Sequence, residues 1–72
     1  MEKEVLLKRL GARIREIRME KGITQKDLAN SIGKDQQSIQ RLEAGNMNPT
    51  IFYLREIAVG LRIDLKDIVG TL

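Results

Sequence analysis

The sequence predicts an all-α protein, a compact bundle of five helices that forms a single domain over residues 1–72. Three observations support this prediction. Apolar residues recur at helical steps of three and four, no segment shows the alternation typical of a strand, and turn-forming residues divide the chain into five short segments. A chain of 72 residues can bury one hydrophobic core but is too short for a second.

The first predicted helix ends at Gly22, because glycine readily adopts the left-handed conformation that closes a helix. One stripe of this helix is expected to lie in the core: Leu6, Leu10, Ile14 and Ile17. The second helix begins at Thr24, since the Thr24 hydroxyl and the Asp27 carboxylate can form a capping box. Its expected core residues are Leu28, Ala29 and Ile32, and Gly33 breaks it.

Three more helices are predicted from their caps. Asp35 caps a third helix, which runs from Gln36 to about Glu43 and ends at Gly45. Thr50 caps the fourth helix, and Asp64 with Asp67 opens the fifth. The apolar residues expected to face inward are Ile39, Leu42, Leu54, Ile57, Ala58 and Leu61, and the fifth helix carries Leu65, Ile68 and Val69.

The composition excludes several classes of function. The chain has no cysteine and no histidine, which removes disulfides, thiol or imidazole mechanisms and the usual zinc sites. It also lacks a phosphate-binding GK[ST] loop and any nucleophile paired with a base, so we expect no enzyme activity and no cofactor. The apolar run from Val5 to Leu7 is too short for a signal peptide or a membrane span, which predicts a cytoplasmic protein without a membrane partner.

Positive charge is concentrated in the N-terminal half of the chain. The net charge is only +3, which is weak support for a nucleic-acid partner. However, seven cations lie between residues 8 and 26 against two anions, whereas residues 37–72 carry four of each sign. A basic amphipathic helix could also bind membranes, but the apolar face of this segment is needed in the core.

The segment from Gln25 to Gly45 carries the most specific pattern. Ala29, Gly33 and Ile39 follow Gln25 at offsets of four, eight and fourteen. Two helices that cross steeply at a short turn need a small residue at their contact, a turn residue that tolerates positive φ, and a branched apolar anchor under the second helix. This spacing predicts that the third helix is held on the surface with its polar side outward, as entry into the major groove requires.

The runs GITQKDLA, QQSIQRLEAG and NP resemble the Cro and repressor family of helix-turn-helix proteins, of the xenobiotic-response-element type. The resemblance covers Arg13 to Val69. It implies a lambda-repressor-like DNA-binding domain whose motif spans residues 24–43, with a recognition helix at about 36–43. The family usually has glycine or a similar residue where this chain has Arg62, and Gly60 lies inside the fourth helix at a cost of about 1 kcal/mol relative to alanine. We therefore expect an irregular end to that helix.

Four side chains on the recognition helix are candidates for base contacts. A glutamine amide can both donate to and accept from the major-groove edge of adenine, and an arginine suits guanine or a phosphate. The same QQS sequence in the repressors that this chain resembles implies base contacts by the glutamines. The candidates are Gln36, Gln37, Gln40 and Arg41; the alternative is that they are ordinary solvated residues.

Other residues are expected to bind phosphates or to support the helix. The resemblance implies that Gln25 binds a phosphate and supports the recognition helix, with an exposed polar residue as the alternative. Polar loop residues could hold further phosphates, although loop polarity alone would explain them: Lys34, Asn46 and Asn48. The resemblance also implies a structural pair between Arg18 and Glu43.

The predicted working unit is a transcriptional regulator that binds double-stranded DNA as a homodimer on an inverted-repeat operator, because one short helix cannot specify a site within a genome. The expected dimer surface comprises Phe52, Val59, Ile63, Lys66 and Val69; Phe52 could instead rest against the DNA backbone. The alternative function is an antitoxin or another protein-interaction module with the same fold. The polar start of the third helix favours DNA over a protein partner such as a toxin.

Overall fold

Five α-helices joined by loops of three to six residues make up the computed structural model, which describes residues 2–72. They are α1 (Lys3–Glu20), α2 (Gln25–Ser31), α3 (Gln36–Ala44), α4 (Ile51–Leu61) and α5 (Leu65–Val69). No strand is present among these described residues. The radius of gyration is 10.9 Å, close to the ~11 Å expected of a compact domain of this length. The predicted all-α, five-helix bundle is confirmed.

The helices begin where the sequence places their caps. The side chains of Thr24, Asp35 and Thr50 each accept a hydrogen bond from the backbone N–H three residues further on, at 3.0, 2.8 and 3.0 Å. At the start of α5, the Asp67 carboxylate accepts from the Asp64 N–H at 3.0 Å. Each cap satisfies a donor that the helix itself leaves unpaired, which is typically worth about 1 kcal/mol.

Apolar side chains from all five helices form one core. It comprises Leu10, Ile14, Ile17, Leu28, Ala29, Ile39, Leu42, Tyr53, Leu54, Ile57, Ala58, Leu61 and Ile68. Ile32 and Leu65 pack against its edge and are only partly buried. The prediction that Leu6 belongs to the core is wrong, because its side chain is 38% exposed. The apolar stripe of α1 continues toward the N-terminus beyond the part of the helix that the other four cover, so burial begins at Leu10.

The turn between α2 and α3 has the predicted construction. Gly33 has φ +69°, a left-handed conformation that a residue with a Cβ adopts only at a cost. Ala29 and Ile39 are fully buried beneath the turn. The small residue, the turn glycine and the branched anchor therefore fix how α3 lies across α2.

The end of α4 is regular, contrary to the expectation from Gly60 and Arg62. A Cβ at Gly60 would lie 2.8 Å from Ile32 Cγ2 and from Leu28 Cδ1, so the missing side chain lets α4 pack closely on α2. Arg62 closes the helix in the left-handed conformation, with φ +60°, and its N–H donates to Val59 O at 3.1 Å. An arginine performs the closing role usual for glycine, at a cost of about 1–2 kcal/mol.

Candidate nucleic-acid interface

The outer face of α3 is polar, and its side chains make no hydrogen bond or ion pair within the described residues. The four predicted base-contacting residues are all exposed, and no side-chain hydrogen bond or ion pair joins them to any residue from 2 to 72: Gln36, Gln37, Gln40 and Arg41. Gln37 and Arg41 are one helical turn apart on the side opposite the buried Ile39. This face therefore presents amide and guanidinium groups whose donors and acceptors are available to an outside partner.

A network of charged and polar side chains supports the inner side of α3. Arg18 donates to Glu43 through Nε at 2.7 Å and through Nη2 at 3.0 Å, and its Nη1 donates to Ile23 O at 2.8 Å. Gln25 Nε2 donates to the same carboxylate at 3.1 Å. The Glu43 side chain is only 3% exposed. The predicted contact between Arg18 and Glu43 is present, and it joins α1, the start of α2 and the end of α3.

Two further contacts that the sequence did not reveal also hold α3. A Cβ at Gly11 would lie 2.5 Å from the Leu42 carbonyl oxygen and closer still to that of Glu43, so the α1 backbone lies directly against the last turn of α3. At the other end of α3, Tyr53 Oη and Ser38 Oγ form a 2.6 Å hydrogen bond. Helix α3 is thus fixed at both ends by neighbouring helices.

The residues predicted to contact phosphates lie in different surroundings. Gln25 already donates one of its amide hydrogens to Glu43. Lys34 Nζ lies 3.9 Å from Glu56 Oε1 and 5.7 Å from the centre of the Tyr53 ring, so this cation is turned toward α4. Asn46 and Asn48 are exposed in the loop after α3, and their side chains make no hydrogen bond within residues 2–72.

The basic N-terminal half does not present all its charge on one side. Arg13 Nε donates to Asp67 O at 3.1 Å and Arg9 Nη2 donates to Thr71 O at 3.4 Å, so both point toward the C-terminal end of the chain. Arg15 instead lines a recess beside α3, and Lys8 lies against Gly45, which closes α3. A count of charges along the sequence could not distinguish the cations that point toward the C-terminal end from those that lie beside α3.

The predicted dimer surface is apolar and largely exposed. Phe52 and Val59 are 63% and 64% exposed on the outer side of α4, Val69 is 37% exposed, and Lys66 is exposed on α5. Ile63 differs from these residues because it is partly buried and packs against the core. The structure adds Ile51, an exposed apolar residue in the first turn of α4 that the sequence analysis did not single out.

Neither a metal-binding cluster nor a membrane-spanning helix is found in the part of the chain that the structure describes. Residues 2–72 contain no group of three or more acidic residues that could hold a metal ion. Within the same residues, no helix combines the length and the apolar character needed to cross a membrane.

Comparison with known proteins relates the chain to helix-turn-helix proteins. The family model HTH_3, described as helix-turn-helix, matches residues 14–68, which include all of α2, α3 and α4. The uncharacterized HTH-type transcriptional regulator y4dJ of Sinorhizobium fredii is 36% identical over 62 residues, which span 86% of this chain and 80% of that protein.

Two solved structures of restriction-modification controller proteins are also similar. The controller protein C.AhdI from Aeromonas hydrophila has a TM-score of 0.86 and 30% identity, covering 89% of this chain and 97% of that one. The controller protein C.Esp1396I, solved as a tetramer in complex with its natural 35-base-pair operator, has a TM-score of 0.78 and 35% identity. That match covers 89% of this chain and 95% of the other.

Proposed function

The chain belongs to the helix-turn-helix family HTH_3, and on this premise we propose that it is a sequence-specific DNA-binding transcriptional regulator that acts as a homodimer on an inverted-repeat operator. The observation that carries the proposal is the outer face of α3, where four polar side chains without intramolecular partners stand on a helix fixed at both ends. A helix presented in this way can enter the major groove without first breaking contacts of its own.

In this proposal, the α3 side chains contact bases. Gln36 and Gln37 use their amides on adenine edges, since an amide matches the adjacent donor and acceptor of that base. Gln40 and Arg41 lie one turn further along, and Arg41 suits the two acceptors of guanine. The free donors and acceptors of these side chains, together with their exposure, support these assignments.

Phosphate contacts fix the position of the protein on the duplex without reading its sequence. We assign these to Gln25, Lys34, Asn46 and Asn48. The Gln25 amide carries two hydrogens, of which one is donated to Glu43 and one remains for a phosphate oxygen. Lys34 would have to leave the vicinity of Glu56, and their 3.9 Å separation is long enough that this costs little.

The homodimer follows from the limits of a single recognition helix. A few base contacts at ~1–3 kcal/mol each cannot separate one operator from the competing sites of a genome, whereas two copies can. A two-fold axis places the recognition helices about 34 Å apart, so half-site centres would lie near 10 base pairs apart. The exposed apolar residues Phe52, Val59 and Val69 with Lys66 supply a pairing surface, and the operator-bound tetramer of the relative C.Esp1396I supports oligomeric binding.

Selection of binding sites from a random DNA pool tests the proposal. The full chain should enrich inverted repeats, and a gel shift on the recovered site should show two subunits bound. Recovery of asymmetric sites occupied by one subunit would contradict the homodimer. Absence of any enriched sequence, with a second protein co-purifying from the source cells, would instead support the interaction-module alternative.

A further inference from the structure

An open recess of about 340 Å³ lies beside the outer face of α3. Its walls come from the second half of α1, the first residue of α2 and the second half of α3: Arg15, Arg18, Gln25, Gln40, Glu43 and Ala44. The recess therefore adjoins one predicted base-contacting residue, Gln40, and one predicted phosphate-contacting residue, Gln25. Neither the sequence pattern nor the family resemblance assigned Arg15 a role.

The charges around the recess leave one cation available. Arg18 and Glu43 pair with each other through two hydrogen bonds, so their charges largely cancel. Arg15 is exposed, and its guanidinium makes no hydrogen bond or ion pair with any other residue from 2 to 72. The recess is therefore net positive, and its positive charge resides on a side chain with five free N–H donors.

We propose that this recess receives a backbone phosphate of the operator and that Arg15 is the cation that holds it. This inference rests on the proposed function. Arg15 stands on α1, outside the row of α3 side chains that enter the groove, so it meets the strand beside the groove rather than a base edge. The phosphate oxygens would accept from the Arg15 guanidinium and from the second amide hydrogen of Gln25, whose first hydrogen is held by Glu43.

The position of Arg15 separates it from two other arginines of the same helix, Arg9 and Arg13. Arg9 and Arg13 donate to backbone carbonyl oxygens of residues 71 and 67, on the side of α1 that faces the C-terminal end. Arg9→Gln is therefore a matched control for Arg15→Gln, because both variants remove one exposed positive charge from α1 and only one removes it from the recess.

The test measures operator affinity as a function of salt for the wild type, Arg15→Gln, Arg15→Lys and Arg9→Gln, with thermal unfolding to verify that each variant folds. Arg15→Gln should reduce the log–log salt slope by about 0.9 per subunit, and it should weaken binding by the same factor on every single-base operator variant. Arg15→Lys should retain the wild-type slope because it keeps the charge, and Arg9→Gln should also retain it.

Three results would overturn the inference. An unchanged slope in Arg15→Gln would show that no phosphate is held there, while leaving the proposed function intact. Altered discrimination at a single base pair would make Arg15 a base-contacting residue instead. A wild-type chain that fails to bind DNA with a salt-dependent affinity would refute the proposed function itself, and this inference with it.

Discussion

Arg18 and Glu43 form a two-point ion pair across 25 residues of sequence, with Nε to Oε2 at 2.7 Å and Nη2 to Oε1 at 3.0 Å. Both side chains are nearly buried, at 11% and 3% exposure. The pair anchors the last turn of α3 to α1. Both charged groups are thus withdrawn from solvent, so removing either one should lower the unfolding free energy substantially.

A double-mutant cycle on Arg18→Ala and Glu43→Ala should therefore show strong coupling. Each single variant should lose about 3 kcal/mol of unfolding free energy, because it leaves a buried charge without its partner, and the coupling should reach ~1–3 kcal/mol. Chemical denaturation provides the measurement. The exposed pair of Arg13 and Glu16 is the control, with an expected coupling of at most about 0.5 kcal/mol. Additive losses at Arg18 and Glu43 would contradict the structural role of the pair.

Base discrimination should depend on the first two residues of α3. Gln36→Ala or Gln37→Ala should leave the unfolding free energy nearly unchanged, since both side chains are exposed and unpaired, and should lose roughly 1–3 kcal/mol of discrimination at one base pair per half-site. Binding to a panel of single-base operator variants measures this loss. Asn30→Ala, at an exposed position of α2, should retain the wild-type preference. If both glutamine variants also retain it, these residues do not contact bases.

Self-association should depend on the outer side of α4. Val59→Asp should reduce the concentration-dependent mass seen by analytical ultracentrifugation and weaken operator binding, because it places a charge in the proposed dimer surface. Met19→Asp is matched in charge and in exposure, 59% against 64%, but lies on α1 and should associate normally. Ile63→Asp is a poorer test, since Ile63 packs against the core and a partly buried carboxylate would also destabilise the fold. Unchanged association of Val59→Asp would place the interface elsewhere.

The close approach of α1 to α3 should make position 11 intolerant of alanine. Alanine favours a helix by about 1 kcal/mol over glycine, yet the added Cβ would overlap two backbone carbonyl oxygens of α3. Gly11→Ala should therefore lower the unfolding free energy by ~1–3 kcal/mol. The neighbouring exposed substitution Ala12→Gly should cost only the propensity difference. A stabilised Gly11→Ala variant would contradict the contact between the two backbones.

The features that the sequence predicted well are local ones. A cap such as Thr24 or Asp35 and its partner lie three residues apart, so the chain between them determines their geometry. Gly33 was also predictable locally, because the turn depends on the backbone conformation of that residue itself. The pair formed by Arg18 and Glu43 could be predicted only from the family resemblance, because 25 residues separate the two and no local pattern relates them.

The features that the sequence missed depend on where one helix lies relative to another. Helical periodicity continues through Leu6 although no neighbour covers it there, so the stripe alone cannot reveal where burial begins. The contact of Gly11 with α3 and the hydrogen bond from Tyr53 to Ser38 likewise require the packed arrangement. The sequence likewise could not show that Arg9 turns toward the C-terminal end of the chain whereas Arg15 lines the recess beside α3, because both directions depend on how the helices pack. Of the candidate site, the outward residues of α3 were foreseeable, whereas the recess beside them was not.

The residues of α3 divide into two sets that do not overlap. Ser38, Ile39, Leu42 and Glu43 attach the helix to the rest of the molecule. The four outward side chains make no hydrogen bond or ion pair within residues 2–72. Replacement of the outward set as a group should therefore leave the packing of α3 on the other helices unchanged. Under the proposed function, duplicated copies of such a gene could therefore diverge in target preference through a handful of codons, with each intermediate still a folded protein.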